Sequence, residues 1–291
     1  MDVIYNSIMG LIVGDACGVP VEFKKRDTFK VDCMTGYGTY NQPCGTWSDD
    51  SSMTLATMDS IARLGKISPK DIMNSFYSWL EYGTYTPYGD VFDVGSTARA
   101  AIRRYSQGVP LKRCGGKTRM DNGNGSLMRI LPLAFVECRD KDIAEISALT
   151  HAHEISKTAC IIYITIVRGI MRGDSLKQAI AYGAYYTDLP EFGRLNNLQN
   201  LSRDEISSTG YVVDTLEAAL WCLLHSDNYR DCILLAVNLG GDTDTIAAVT
   251  GGLAGLMWKV PDDYISQLAS LDTINEILGR FIQVASSSFK L

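Results

Sequence analysis

With three histidines, and no two of its eight cysteines spaced CxxC, this 291-residue chain lacks the ligands of a zinc knuckle and any thioredoxin-type motif. The cysteines (17, 33, 44, 114, 138, 160, 222 and 232) follow no pattern, and a chain of this length needs no disulfide frame. They read as reduced thiols of an intracellular protein. A basic excess is also absent. Lysine and arginine number 27 against 33 acids, a net charge of −6, which argues against non-specific binding to nucleic acid or anionic membrane. A phosphorylated small molecule gripped by backbone N–H groups stays compatible with that charge. The longest apolar stretches, 158–167 and 245–258, fall short of a bilayer span of roughly 20 residues, and the N-terminus carries Asp2 and no basic leader. The expected location is cytoplasmic, with no membrane partner. A fixed-period repeat, a low-complexity tract and a proline-rich linker are missing too. Strand-like alternation is scarce, and any sheet is expected to be small and near 28–40.

What is present is helical periodicity. In SPKDIMNSFYSWLEYG, Ser68 stands at a cap position before Pro69. Ile72, Phe76 and Leu80 then recur every four residues, and Gly83 ends the run. In TGYVVDTLEAALWCLLHS, Val213, Leu216, Leu220 and Leu223 keep one face. Residues 154–172, 228–237, 262–270 and 272–285 read as further helices, as does ILPLAFVECR after Arg129. The polar stretch 190–210 reads as a long surface connection over one body, because the helical patterns on its two sides are alike. The expectation is a single all-α domain spanning 1–291.

Two acidic clusters stand at helix starts. GTWSDDSSM, 45–53, sets Ser48, Asp49 and Asp50 ahead of a run through Leu55, Met58 and Ile61. NLGGDTDT, 238–245, sets Asp242 and Asp244, each followed by threonine, ahead of the apolar IAAVTGGLAGLMW. Helix capping accounts for either cluster taken alone. Two adjacent aspartates and then Asp-x-Asp-Thr exceed it, since one side chain satisfies one cap. Should the two helix starts face one another, four carboxylates and neighbouring hydroxyls would converge. Like charges at that density repel and raise one another's pKa, and divalent cations relieve the repulsion. All-oxygen ligation favours Mg²⁺, Mn²⁺ or Ca²⁺ over zinc. Few protein ligands per ion suit Mg²⁺ or Mn²⁺, and four acids suggest two ions.

Other stretches are less specific. NGNGSLMR, 122–129, spaces Gly123 and Gly125 so that a backbone can approach a ligand and offer N–H groups to a phosphate; a plain helix-starting turn explains it equally. THAHE, 150–154, holds two histidines, spaced two apart and so on different helix faces. One ring touching a ligand and a structural histidine are both open readings. Asp93 in FDVGS and Glu22 in GDACGVPVEF are acids in apolar settings, each fit to be a general base or a hydrogen-bonded turn residue. His225 and the Arg103–Arg104 pair read as surface.

In this order, GDACGVPVEF, GTWSDDSSM, FDVGSTARA, GNGSLMR, LTHAHE, GYVVDTLEAALW and VNLGGDTDTIAAVTGGLAG resemble the ADP-ribosylglycohydrolase family, from residue 10 to about 256. The resemblance implies a compact orthogonal helical bundle with a dinuclear Mg²⁺ or Mn²⁺ site. Ser48, Asp49, Asp50, Asp242, Asp244 and Thr245 would be the ligands. Gly123, Asn124, Gly125, Ser126 and Met128 would cradle the diphosphate and distal ribose of ADP-ribose, with His151 and Tyr211 lining the same pocket. Glu22 and Asp93 match acids that approach the metals. The family usually has threonine where Ser48 stands, and the hydroxyl is kept. The implied activity is hydrolysis of the glycosidic bond at the ribose anomeric carbon, with the ions orienting the ribose hydroxyls and Asp93 or Glu22 taking a proton from water. The substrate would be an ADP-ribosylated protein or small molecule, with nucleic acid entering only if itself ADP-ribosylated, and the enzyme a monomer. Two alternatives share the motifs: a non-catalytic ADP-ribose-binding protein on the same fold, and a metal-dependent phosphohydrolase cutting the diphosphate.

Overall fold

The computed structural model of the protein describes residues 3–288. Its α-helices are α1 (Val3–Gly18), α2 (Asp49–Leu64), α3 (Pro69–Tyr82), α4 (Ser96–Ser106), α5 (Asp140–Ser147), α6 (Glu154–Met171), α7 (Leu176–Tyr185), α8 (Val212–Leu224), α9 (Tyr229–Val237), α10 (Thr243–Met257), α11 (Asp262–Ile265) and α12 (Leu271–Ser288). Short 3₁₀ turns join them, and the fold is all-α: among the described residues no strand forms. The small sheet expected near 28–40 is therefore not there. Tyr37 and Asn41 adopt positive φ, which a regular strand does not hold, and only an isolated Tyr37–Gln42 bridge remains. The segment is pinned instead by Asn238, whose side chain both accepts from the Val31 N–H (2.8 Å) and donates to the Val31 carbonyl (2.8 Å).

Local chemistry sets the helix ends. Ser68 accepts from the Asp71 N–H, Pro69 occupies the first turn and Gly83 closes α3 with φ 65°. Two expected helices come out differently. Residues 262–270 shorten to the single turn of α11, and Ser270 follows at φ 50°. The stretch after Arg129 forms a 3₁₀ turn, Leu131–Phe135, and ends at extended Val136. The 190–210 connection is no loose surface loop. It carries three 3₁₀ turns, buries Phe192, Leu195, Leu198 and Ile206, and is bolted down by Arg26, which donates to the carbonyls of Arg203 (2.7 Å) and Ile206 (2.6 Å).

The most extensive helix pair is α1 with α10. By length and composition Val3–Val21 is apolar enough to cross a bilayer, but 89% of that window is buried inside the molecule. Burial on all sides explains why α1 shows no apolar stripe. Its approach to α10 is backbone to backbone. A Cβ on Gly14 would overlap the Ala247 carbonyl, and one on Gly18 would overlap the backbone of Thr243 and Asp244. Ser7 donates to the Gly252 carbonyl (2.7 Å), and Thr243 donates to that of Gly18 (2.8 Å). These contacts set the start of α10 against the end of α1. Helix α2 packs against α3 and α12.

Candidate active site

The starts of α2 and α10 do meet. Ser48 caps α2, its Oγ accepting from the Asp50 N–H (3.4 Å) and donating to Asp50 Oδ2 (3.0 Å). Thr245 in the first turn of α10 donates to that same Asp50 Oδ2 (3.4 Å). Asp49 Oδ2 accepts from the Gly95 N–H (3.3 Å), which brings in the start of α4. Gly240 and Gly241, at φ 71° and 74°, aim the chain into α10, where an L side chain would be strained. Asp242 then occupies the cap position yet makes no capping hydrogen bond. Its Oδ2 accepts from Asn124 (2.9 Å) instead, so helix capping does not explain this residue.

Beneath these groups lies Asp15, buried in α1. Its carboxylate accepts from the Ser48 N–H (2.9 Å), the Ser51 N–H (3.0 Å) and the Ser51 hydroxyl (2.5 Å). It anchors the start of α2. Burial pushes its pKa up to about 6, against the pull of those donors.

Carboxylate oxygens of Asp15, Asp50 and Asp244 lie within 4.8 Å of one another, and so do those of Glu22, Asp93 and Asp244. Asp50 and Asp244 are wholly buried. Burial first, and neighbouring carboxylates second, raise Asp49, Asp50 and Asp244 well above the usual carboxylate range. Glu22 rises to about 8 by burial and then by the charge of Asp93, and burial also raises Asp93. At this site four carboxylate oxygens (Glu22 Oε2, Asp50 Oδ1, Asp242 Oδ1 and Asp244 Oδ2) are buried without a hydrogen-bond partner among the described residues. Orphaned anionic oxygens in such number are costly unless a cation or proton neutralises them. The donor set is all oxygen, which fits hard divalent ions.

Glu22, Asp49, Asp93, Asp242 and Thr245 open onto a cavity of about 330 Å³. Gly123, Asn124, Gly125, Met128 and His151 line it as well. Gly123 and Gly125 are not at positive φ; what they supply is space, for a Cβ on Gly125 would lie 2.8 Å from His151 Cε1. Asn124 ties this loop to the acids through Asp242 and to α8 through Thr215 Oγ1 (2.9 Å). Ser48, Asp50 and Asp244 lie behind the cavity wall, and two of the residues expected to seat the ligand are not in it either. Ser126 is buried and accepts from the Ser147 hydroxyl (3.0 Å). Tyr211 stands half-buried beside Gly210, and it is Gly210 that lines the cavity. Only the end of the 190–210 connection reaches the site, where Ser208 accepts from the Asp242 N–H (3.0 Å). Tyr40 is a site residue that sequence reasoning missed. Its hydroxyl pulls the Glu22 and Asp93 carboxyls down against their burial, and its ring packs 5.1 Å from that of Phe92. Nothing in its local sequence marks it.

Comparison with known proteins agrees with this geometry. The family model described as ADP-ribosylglycohydrolase matches residues 1–289. An ADP-ribosylarginine hydrolase, Tri1 of Serratia proteamaculans (strain 568), is 31% identical over 98% of this chain and 80% of its own length. The ADP-ribosyl-[dinitrogen reductase] glycohydrolase of Rhodospirillum rubrum is 30% identical over 92% of this chain and 89% of its own. A solved structure described as an ADP-ribosylglycohydrolase-related protein complex superposes with a TM-score of 0.82 at 28% identity, covering 98% of both chains. With its all-α fold, its converging acids and a family match along nearly its whole length, the chain belongs to the ADP-ribosylglycohydrolase family.

Proposed function

We propose that the protein is a single-domain, monomeric cytoplasmic hydrolase that removes ADP-ribose from a modified protein or small molecule, cleaving the bond at the anomeric carbon. The observation that carries this reading is the set of four unpartnered carboxylate oxygens beside a glycine-lined cavity. Ser48, Asp49, Asp50, Asp242, Asp244 and Thr245 would hold two Mg²⁺ or Mn²⁺ ions. When bound, the ions supply Lewis acidity and hold the vicinal ribose hydroxyls. The chain's own groups do the rest. Backbone at Gly123, Asn124 and Gly125, with Met128 and His151, seats the diphosphate and distal ribose. Tyr211, next to Gly210, borders the entrance. As the anomeric carbon becomes oxocarbenium-like, the proton of the attacking water passes to Asp93 or Glu22, both of which the Tyr40 hydroxyl influences.

The test is product analysis on an ADP-ribosylated arginine peptide, the linkage named for the Serratia relative. Free ADP-ribose and intact arginine, formed with Mg²⁺ or Mn²⁺ and lost on chelation, are expected. AMP with ribose phosphate would refute the reading in favour of diphosphate cleavage, and unimpaired turnover after exhaustive chelation would refute the metal assignment.

A further inference from the structure

Behind the glycine loop lies a buried arginine with no acidic partner among the described residues. Arg129 is fully buried; its guanidinium sits 4.5 Å from the centroid of the Phe76 ring, and its Nη1 has no hydrogen-bond partner among the described residues. Its Nε donates to the Gly125 carbonyl (3.1 Å), and its Nη2 donates to the Ile146 carbonyl (3.2 Å) and to Thr150 Oγ1 (2.9 Å). Thr150 Oγ1 in turn lies 2.8 Å from His151 Nδ1. We propose that Arg129 and Thr150 are positioning residues that lock neutral His151 in the tautomer with its proton on Nε2, making the ring a fixed hydrogen-bond donor at the glycine loop for an acceptor oxygen of the ligand.

The direction follows from donor counting. Arginine can only donate, so it occupies a lone pair of Thr150 Oγ1. The threonine hydroxyl has one hydrogen, and among the described residues His151 Nδ1 is the one acceptor in reach for it. Nδ1 therefore accepts, and the proton of a neutral imidazole stands on Nε2. Nε2 lies 3.4 Å from where a Cβ of Gly125 would be and has no hydrogen-bond partner among the described residues, so its N–H is left for a ligand in the cavity. Burial and the nearby Arg129 charge push the His151 pKa down to about 3, so the ring stays a neutral donor at physiological pH. The same arginine holds the Gly125 carbonyl from behind, fixing ring and loop relative to each other. That the oxygen belongs to ADP-ribose rests on the functional reading above; the tautomer does not.

Long-range ¹H–¹⁵N spectra of the uniformly labelled protein test this directly, since only three histidines contribute. His225, whose Nδ1 faces the Trp221 carbonyl (2.8 Å) and so carries the proton there, supplies the opposite pattern as an internal reference. His151 is expected with a protonated Nε2 and a bare Nδ1, unchanged from pH 5 to 8. Thr150→Val takes away the donor that fixes the ring, so the two tautomers should mix and ADP-ribose binding weaken about tenfold, with hydrolysis losing more in KM than in kcat. Thr150→Ser should restore both. A wild-type spectrum with the proton on Nδ1 overturns the proposal whether or not the variants fold, as does a Thr150→Val protein that keeps the Nε2 pattern and full affinity. A wild-type protein with the expected spectrum but no ADP-ribose binding would support the relay and refute the functional reading.

Discussion

The acid cluster makes stability fall as pH rises, and divalent cations remove that fall. Glu22 has an ordinary value of 4.5 and is raised to about 8 in the folded protein. Between those limits the folded state holds a proton that the unfolded chain has released. Stability from this group is full below pH 4.5 and is lost as pH rises towards 8. Each pH unit removes about 1.4 kcal/mol, so from pH 6 to 8 Glu22 alone removes roughly 2–3 kcal/mol, and Asp49, Asp50 and Asp244 act in the same direction. Bound cations replace those protons and remove the loss. His151, depressed to about 3, contributes the reverse slope up to its ordinary 6.5, but it does so with or without cations and drops out of the difference. Thermal unfolding in millimolar Mg²⁺ or Mn²⁺ and in EDTA, from pH 5.5 to 8, gives the readout. The Tm gap between the two conditions should widen by roughly 5 °C or more from pH 6 to 8. Glu22→Gln should narrow the widening. A gap that stays constant with pH, or that shrinks, refutes the claim that cations and protons compete for these oxygens.

Three further outcomes are expected. Asp242→Ala should lower kcat/KM at least about a hundredfold while weakening ADP-ribose binding far less, and steady-state rates beside calorimetry will separate the two effects. Asp15→Asn leaves the Ser48 and Ser51 donors facing an amide. It should cost roughly 2–3 kcal/mol in denaturant unfolding and weaken Mn²⁺ affinity even though, in this reading, Asp15 binds no metal. Gly14→Ala sets a methyl group against the Ala247 carbonyl, so α1 and α10 must part; a loss of about 2 kcal/mol or more together with slower turnover is expected, and wild-type stability and rate would contradict the packing described.

The parts of the site legible in the sequence were those where chemistry departs from routine. Asp49–Asp50 and Asp242-x-Asp244 carry more acid than a cap needs, and the Thr245–Asp50 contact shows that the excess converges. Helix α3 was readable because one buried face, a serine cap and a terminal glycine all point the same way. Helix α1 was not, since a segment covered on every side loses the periodicity that reveals a helix. Asp15, Tyr40 and Arg129 escaped for a different reason. Their roles lie in contacts with Ser48, with Glu22 and Asp93, and with Thr150, and single-chain patterning carries no record of such partners. The sequence marks the cavity loop as a close-approach segment; in the structure its glycines leave the room His151 takes up and hold no unusual dihedrals.

The seam between α1 and α10 also constrains how the protein is born. The Ser7–Gly252 hydrogen bond joins positions 245 apart in the chain. At ribosomal speeds of 5–20 residues per second, α1 waits roughly 10–50 s for the helix that covers it. Through that interval the nascent chain exposes a span-length oily segment. A holding chaperone is therefore expected on ribosomes stalled before residue 243, and release of the completed chain should displace it.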